Sequence, residues 1–162
     1  MTFENAGNQK KPCRYNLLSP GSHRRRGDLA KTLENLASAV ERQMTGDGIQ
    51  VTAVPSLILN RSSMPSAHDA AVYEPSLVIM AQGSKEVVLG DEAYRYDPAH
   101  SLLVSVDLPV SARVIEASPS RPCLAVRVAL DVAVFGELLA DGSTSLPNSS
   151  PTRGLAVAAV QP

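Results

Sequence analysis

The chain has 162 residues and a formal net charge of −1, with Lys plus Arg (15) close to Asp plus Glu (16). That length suits one domain with its own core and excludes two full ones. The balanced charge gives no electrostatic ground for binding nucleic acid or an anionic membrane. Hydrophobic residues at 44%, aromatics at 4% and no Trp predict a globular core built from Val, Leu, Ile and Ala.

The charge is unevenly spread, because residues 1–31 hold seven Lys or Arg against Glu4 and Asp28, while the remainder is acidic. Residues 1–27 mix Asn, Lys, Arg, Pro, Gly and Ser with little periodicity and contain Arg24-Arg25-Arg26, so they read as a disordered basic leader. From Asp28, a suitable N-cap, Leu29, Leu33, Leu36, Val40 and Met44 recur at helical spacing and predict one amphipathic helix. Gly46-Asp47-Gly48 ends it.

Up to about residue 130 the period becomes that of strands, in runs at 51–54, 57–61, 77–82, 86–89, 94–97, 102–106, 110–117 and 123–130. Pro55, Pro65, Pro75, Pro98, Pro109, Pro119 and Pro122 fall between these runs and almost never inside them. Short strands with turn signals about every ten residues predict a mainly β, antiparallel barrel or sandwich. Gly83-Ser84 and Gly90-Asp91 have the form of two-residue hairpin turns, so the sheet is expected to be meander-like there. After Asp131, a short closing helix is expected, with Val132, Phe135, Leu138 and Leu139 on one face despite Gly136. The domain should thus occupy residues 28–140. Residues 141–153, DGSTSLPNSSPTR, read as a linker, and 155–160 as the truncated start of a following element.

Little in the chain carries covalent or metal chemistry. The histidines His23, His68 and His100 occur without any H-x-H or H-x-x-E spacing, and Cys13 and Cys123 make no C-x-x-C. Neither a metal site nor a disulfide framework is expected from them. Cys123 lies in an apolar run without a neighbouring base and reads as a packed hydrophobe. No G-x-S-x-G elbow or phosphate-cradling glycine loop is present, so no catalytic residues and no cofactor are expected. The opening MTFENAGNQKKP lacks a signal-peptide core and no apolar run approaches a membrane span, which points to the cytoplasm.

The candidate site is therefore a binding site. Tyr94 and Tyr96 share one strand face and could present two hydroxyls to a small polar ligand inside the barrel; the alternative is that both rings cover the sheet with wetted hydroxyls. Glu116 and Arg127 interrupt otherwise apolar strands, each either facing solvent, the safer reading, or paired across the barrel.

The stretch VYEPSLVIMAQG at 72–83 resembles a segment of the N-terminal domain of AraC-type transcription regulators. The resemblance continues through Val88-Leu89-Gly90-Asp91, Tyr94-Arg95-Tyr96-Asp97-Pro98, Ser105-Val106-Asp107-Leu108-Pro109-Val110 and Glu116-Ala117-Ser118-Pro119. It implies a cupin-like β-barrel that senses a small-molecule effector or mediates dimerisation, joined in the family to a C-terminal pair of helix-turn-helix motifs. Those motifs have no counterpart before Pro162, so sequence-specific DNA binding by this chain alone is not expected. The expected function is the sensor and dimerisation domain of an AraC-type regulator, truncated before its DNA-binding domain and not an enzyme. Two rivals stand beside it. One is a cupin metalloenzyme with a site at His68, His100 and a carboxylate such as Glu116. The other is an interaction module that pairs with full-length regulators through the Leu29, Leu33, Leu36 and Val40 stripe.

Overall fold

Ala37, Val40 and Met44, spaced three and four apart, form the buried face of the first element of the computed structural model, which describes residues 22–131 and 154–160. That element is helix α1 (Ser22–Gln43), with Met44 just past its end donating its N–H to the Val40 carbonyl. The helix starts six residues before Asp28, so residues 22–27 belong to it rather than to the leader. Asp28 lies within the helix, where its carbonyl accepts from the Thr32 hydroxyl. Its backbone conformation is that of a helix interior, which rules out the N-cap role the sequence suggested.

Among the described residues ten strands follow: β1 (Gly48–Val51), β2 (Leu57–Ser62), β3 (Asp69–Tyr73), β4 (Ser76–Gln82), β5 (Ser84–Leu89), β6 (Glu92–Tyr96), β7 (His100–Val104), β8 (Leu108–Glu116), β9 (Cys123–Ala129) and β10 (Leu155–Ala159). They make two antiparallel sheets, ordered β1-β2-β9-β4-β7-β10 and β3-β8-β5-β6. The sheets share a core of Val78, Met80, Val87, Tyr96, Leu102, Val104, Val110 and Ala125, drawn alternately from both, and they meet where β6 lies against β7 and β10. The fold is thus the mainly β, antiparallel double sheet that the alternation of apolar residues predicts.

The larger sheet is covered on its outer face by α1. Leu59, Ala81, Leu124 and Val126 point outward and pack against Ala37, Val40, Met44 and Leu36. This explains why β9 is apolar at consecutive positions: Cys123 and Ala125 face the inter-sheet core while Leu124 and Val126 face the helix. The Leu36 and Val40 part of the helical stripe is consequently spent inside the domain and is not free to bind a partner.

Two expectations about topology are corrected. The sheets are not a meander: among the described residues β1–β2 and β5–β6 are the only sequence-adjacent strands that pair, and the other pairings are long-range. Gly90-Asp91 is the expected hairpin, joining Leu89 to its partner Glu92, with positive φ at Gly90 but not at Asp91, a type II′ turn. Gly83-Ser84 is not a hairpin; it carries the chain from β4 in one sheet to β5 in the other. A Cβ on Gly83 would lie 2.5 Å from the Glu116 carbonyl oxygen and 2.9 Å from the Cys123 Cα, at φ +81°, so glycine is required there.

Residues 155–159, read from the sequence as the start of another element, form β10, paired with β7 from Leu155↔Val104 to Ala159↔His100. Leu155 is buried in the common core, so the segment is part of this domain. The expected closing helix after Asp131 and the linker at 141–153 lie outside the described residues. No helix among the described residues is long and apolar enough to cross a membrane.

Candidate functional site

Between the two sheets lies a cavity of about 230 Å³. Its walls follow from strand register. On the larger sheet Arg127 stands opposite both Ile58 and Val78, and Asn60 opposite both Ile49 and Ala125, so Arg127, Val78, Asn60 and Ala125 line it. On the smaller sheet Lys85 stands opposite Val114 and Tyr96, and Tyr73 ends β3. Ala71 and Val72 add apolar surface, and the strongly exposed Ile49 (74%) and Val72 (66%) mark the mouth.

Six polar side chains reach this space: Asn60, Tyr73, Ser76, Lys85, Tyr96 and Arg127. Ser76 is buried and spends its hydroxyl on the Glu74 carbonyl at 2.8 Å. Burial pushes the Tyr73 phenol up, with Tyr96 and the Arg127 charge pulling partly against it. Burial drives Tyr96 well above the ordinary phenol value, and its neighbours Tyr73 and Cys123 add to the rise. Both phenols are therefore neutral O–H groups at any physiological pH. Burial lowers Lys85, although the neighbouring Cys123 opposes the shift. Burial likewise raises the Cys123 thiol, against the Lys85 charge, which leaves it a poor nucleophile and supports the packed-hydrophobe reading. Arg127 has one anionic neighbour among the described residues, Glu74 at 3.7 Å, which is largely exposed.

Two of the four expected binding residues meet here. Tyr96 is 1% exposed and lines the cavity, and Arg127 turns inward beside it rather than to solvent. Tyr94 shares the interior face of β6 and packs against the core, but its hydroxyl donates to Glu92 at 2.5 Å, away from the cavity lining. Glu116 faces solvent and accepts from Arg95 at 2.5 Å, so it is not part of the site. Lys85 and Tyr73 went unnoticed in the sequence. The signal for Lys85 is its parity with Val87 and Leu89, but Val88 makes the run apolar on both faces and hides which face is inside.

The ligand set of the metalloenzyme rival is not assembled. His68 lies 3.4 Å from the Ser111 hydroxyl and 3.5 Å from Glu86, which also accepts from Arg113 at 2.7 Å. His100 is 2.8 Å from Asp97, an acid that partial burial works to raise. The hydrogen bonds from His100 and the Ala99 N–H, with the His100 and Arg95 charges, outweigh that burial and hold Asp97 below the usual carboxylate range. Among the described residues no three His, Cys, Asp or Glu side chains gather as a metal site.

A second depression, about 440 Å³, runs between α1 and β2 and is lined by Leu36, Val40, Val54, Leu57 and Val126. It is largely apolar, with Gln43 and Thr52 its polar side chains and the Thr52 hydroxyl already spent on the Val54 and Leu57 carbonyls, whereas the inter-sheet cavity combines apolar walls with convergent donors.

Among known proteins, the family model for the AraC-type transcriptional regulator N-terminus matches residues 53–162. Among solved structures, the chain is similar to an apo variant of ToxT from Vibrio cholerae, at 10% identity and a TM-score of 0.42, covering 64% of this chain and 42% of that one. The chain therefore spans less than half the length of that structure. No curated protein matches it.

Proposed function

The chain belongs to the family of AraC-type transcriptional regulator N-termini, and on that premise we propose that it is the effector-sensing and dimerisation domain of such a regulator. It works as a binding module in the cytoplasm rather than as an enzyme. The observation that carries this reading is the inter-sheet cavity, where hydroxyls and cations from both sheets converge on a space of ligand size. A ligand held by Arg127 on β9 and Tyr96 on β6 touches both layers at once, so it favours one spacing of the sheets over another. Binding then acts as a population shift, passed to whatever the domain is joined to or paired with.

Dimerisation involves a second copy of the domain or a full-length regulator. The chain alone is not expected to recognise operator DNA: among the described residues α1 is the only helix, and the Leu36, Ala37 and Val40 part of its apolar face is committed to the larger sheet.

The test is a thermal-shift screen of the chain against small metabolites. The expected effector stabilises the protein saturably. Tyr96→Phe and Arg127→Met weaken that effect, while Tyr94→Phe and Glu116→Gln leave it unchanged. An effector equally sensitive to all four substitutions, or to none, contradicts the site.

A further inference from the structure

Resting on the effector-sensing reading, we infer that the inter-sheet cavity takes a small organic carboxylate, its charge met by Lys85 and Arg127 from opposite sheets and its body by Val78 and Ala125. The charged side chains lining the cavity are both cations, and no carboxylate lines it. Lys85 has no hydrogen bond and no ion pair among the described residues, although it sits on an inward-facing strand position opposite Tyr96. Arg127 has only Glu74, 3.7 Å away and 67% exposed, a pair too solvated to neutralise it. Half-burying a lysine without a counter-ion is unfavourable, and burial accordingly makes its protonated form harder to keep. An anion in the cavity removes that penalty, which an apolar or neutral ligand does not.

The remaining chemistry narrows the class. Tyr73 and Tyr96 are held as neutral phenols and are hydrogen-bonded to each other, which leaves the Tyr73 O–H as a donor to a carboxylate oxygen, while the planar Arg127 guanidinium suits its two oxygens. Val78, Ala71, Val72, Ile49 and Ala125 make most of the remaining wall, beside Asn60 and a Ser76 hydroxyl already spent on Glu74, so the anion is expected to have a mainly apolar body. A cavity of 230 Å³ holds about eight waters' worth of volume, matching a ligand of similar heavy-atom count. No helix N-terminus or glycine loop faces the cavity to hold a phosphate dianion.

The test is calorimetric titration of the full chain with straight-chain monocarboxylates from butanoate to octanoate, the corresponding amides, and inorganic phosphate. At least one carboxylate is expected to bind, with its amide at least tenfold weaker. Lys85→Met and Arg127→Met should each weaken the carboxylate at least tenfold, and melting curves report that both variants are folded. An amide that binds as tightly as its acid, within the cavity, overturns the anion assignment and leaves the sensing reading standing. Binding of phosphate without carboxylates overturns the ligand class. If no carboxylate binds at millimolar concentration, the inference fails, and the metabolite screen above decides the sensing reading independently.

Discussion

Lys85 is a residue whose burial works against stability. It is half-buried opposite Tyr96 and near Cys123, and burial lowers its pKa from the ordinary lysine value of 10.5. The unfolded chain therefore binds the Lys85 proton more tightly than the native protein does. The Lys85 contribution to stability rises with pH from its depressed native value up to 10.5, and below that window the buried charge is a net cost. Lys85→Met should raise the melting temperature by a few degrees at pH 7 and remove this alkaline rise, both readable by calorimetry across pH 7–10. A variant that melts lower at pH 7 would mean that the lysine is stabilising and has a native partner. Tyr96 and Arg127 were legible as candidates because an aromatic pair and an interrupting charge stand out in short strands. Lys85 was not, since a lysine in a strand ordinarily faces water and only the three-dimensional register turns it inward.

At the scale of elements, local pattern and long-range pairing separate cleanly. The runs that became β2, β4, β5 and β9 were legible from alternation and proline punctuation, whereas β10 was not, because its partner β7 lies some fifty residues earlier in sequence and a Pro- and Ser-rich stretch intervenes. The two glycine turns likewise look alike in sequence and differ in function, and their substitution separates them. Gly83→Ala meets the Glu116 carbonyl and the Cys123 backbone at positive φ, and should cost at least about 2 kcal/mol. Gly90→Ala meets nothing within 4 Å and carries only the strain of its φ of +59°, about 1 kcal/mol. Urea denaturation of both variants checks the order, and equal losses would mean that the sheet-to-sheet crossing is not tightly packed. Leu124, fully buried between β9 and α1, gives the helix its anchor: Leu124→Ala should cost about 2–5 kcal/mol in the same assay.

For the whole molecule, the two sheets and the helix make an asymmetric sandwich, with α1 sealing one outer face and the cavity opening at the mouth marked by Ile49 and Val72. Fold class was legible because it depends on apolar periodicity, while the split into two sheets depends on pairings that no local window contains. Two properties of the intact chain follow from the proposed role. Sedimentation at tens of micromolar should show a dimer, and a monomer there would contradict the dimerisation role. Fluorescence anisotropy with DNA should show no saturable, sequence-dependent binding by this chain at physiological salt.

The central claim is that the effector sits between the sheets, and the most direct measurement is two-dimensional NMR of the labelled chain titrated with the ligand that the screen yields. The account predicts that shifts concentrate on residues from both sheets around the cavity, Tyr73, Val78, Lys85, Tyr96, Ala125 and Arg127. Shifts confined to Leu36, Val40, Val54 and Leu57 would place the ligand in the groove beneath α1 instead and contradict it.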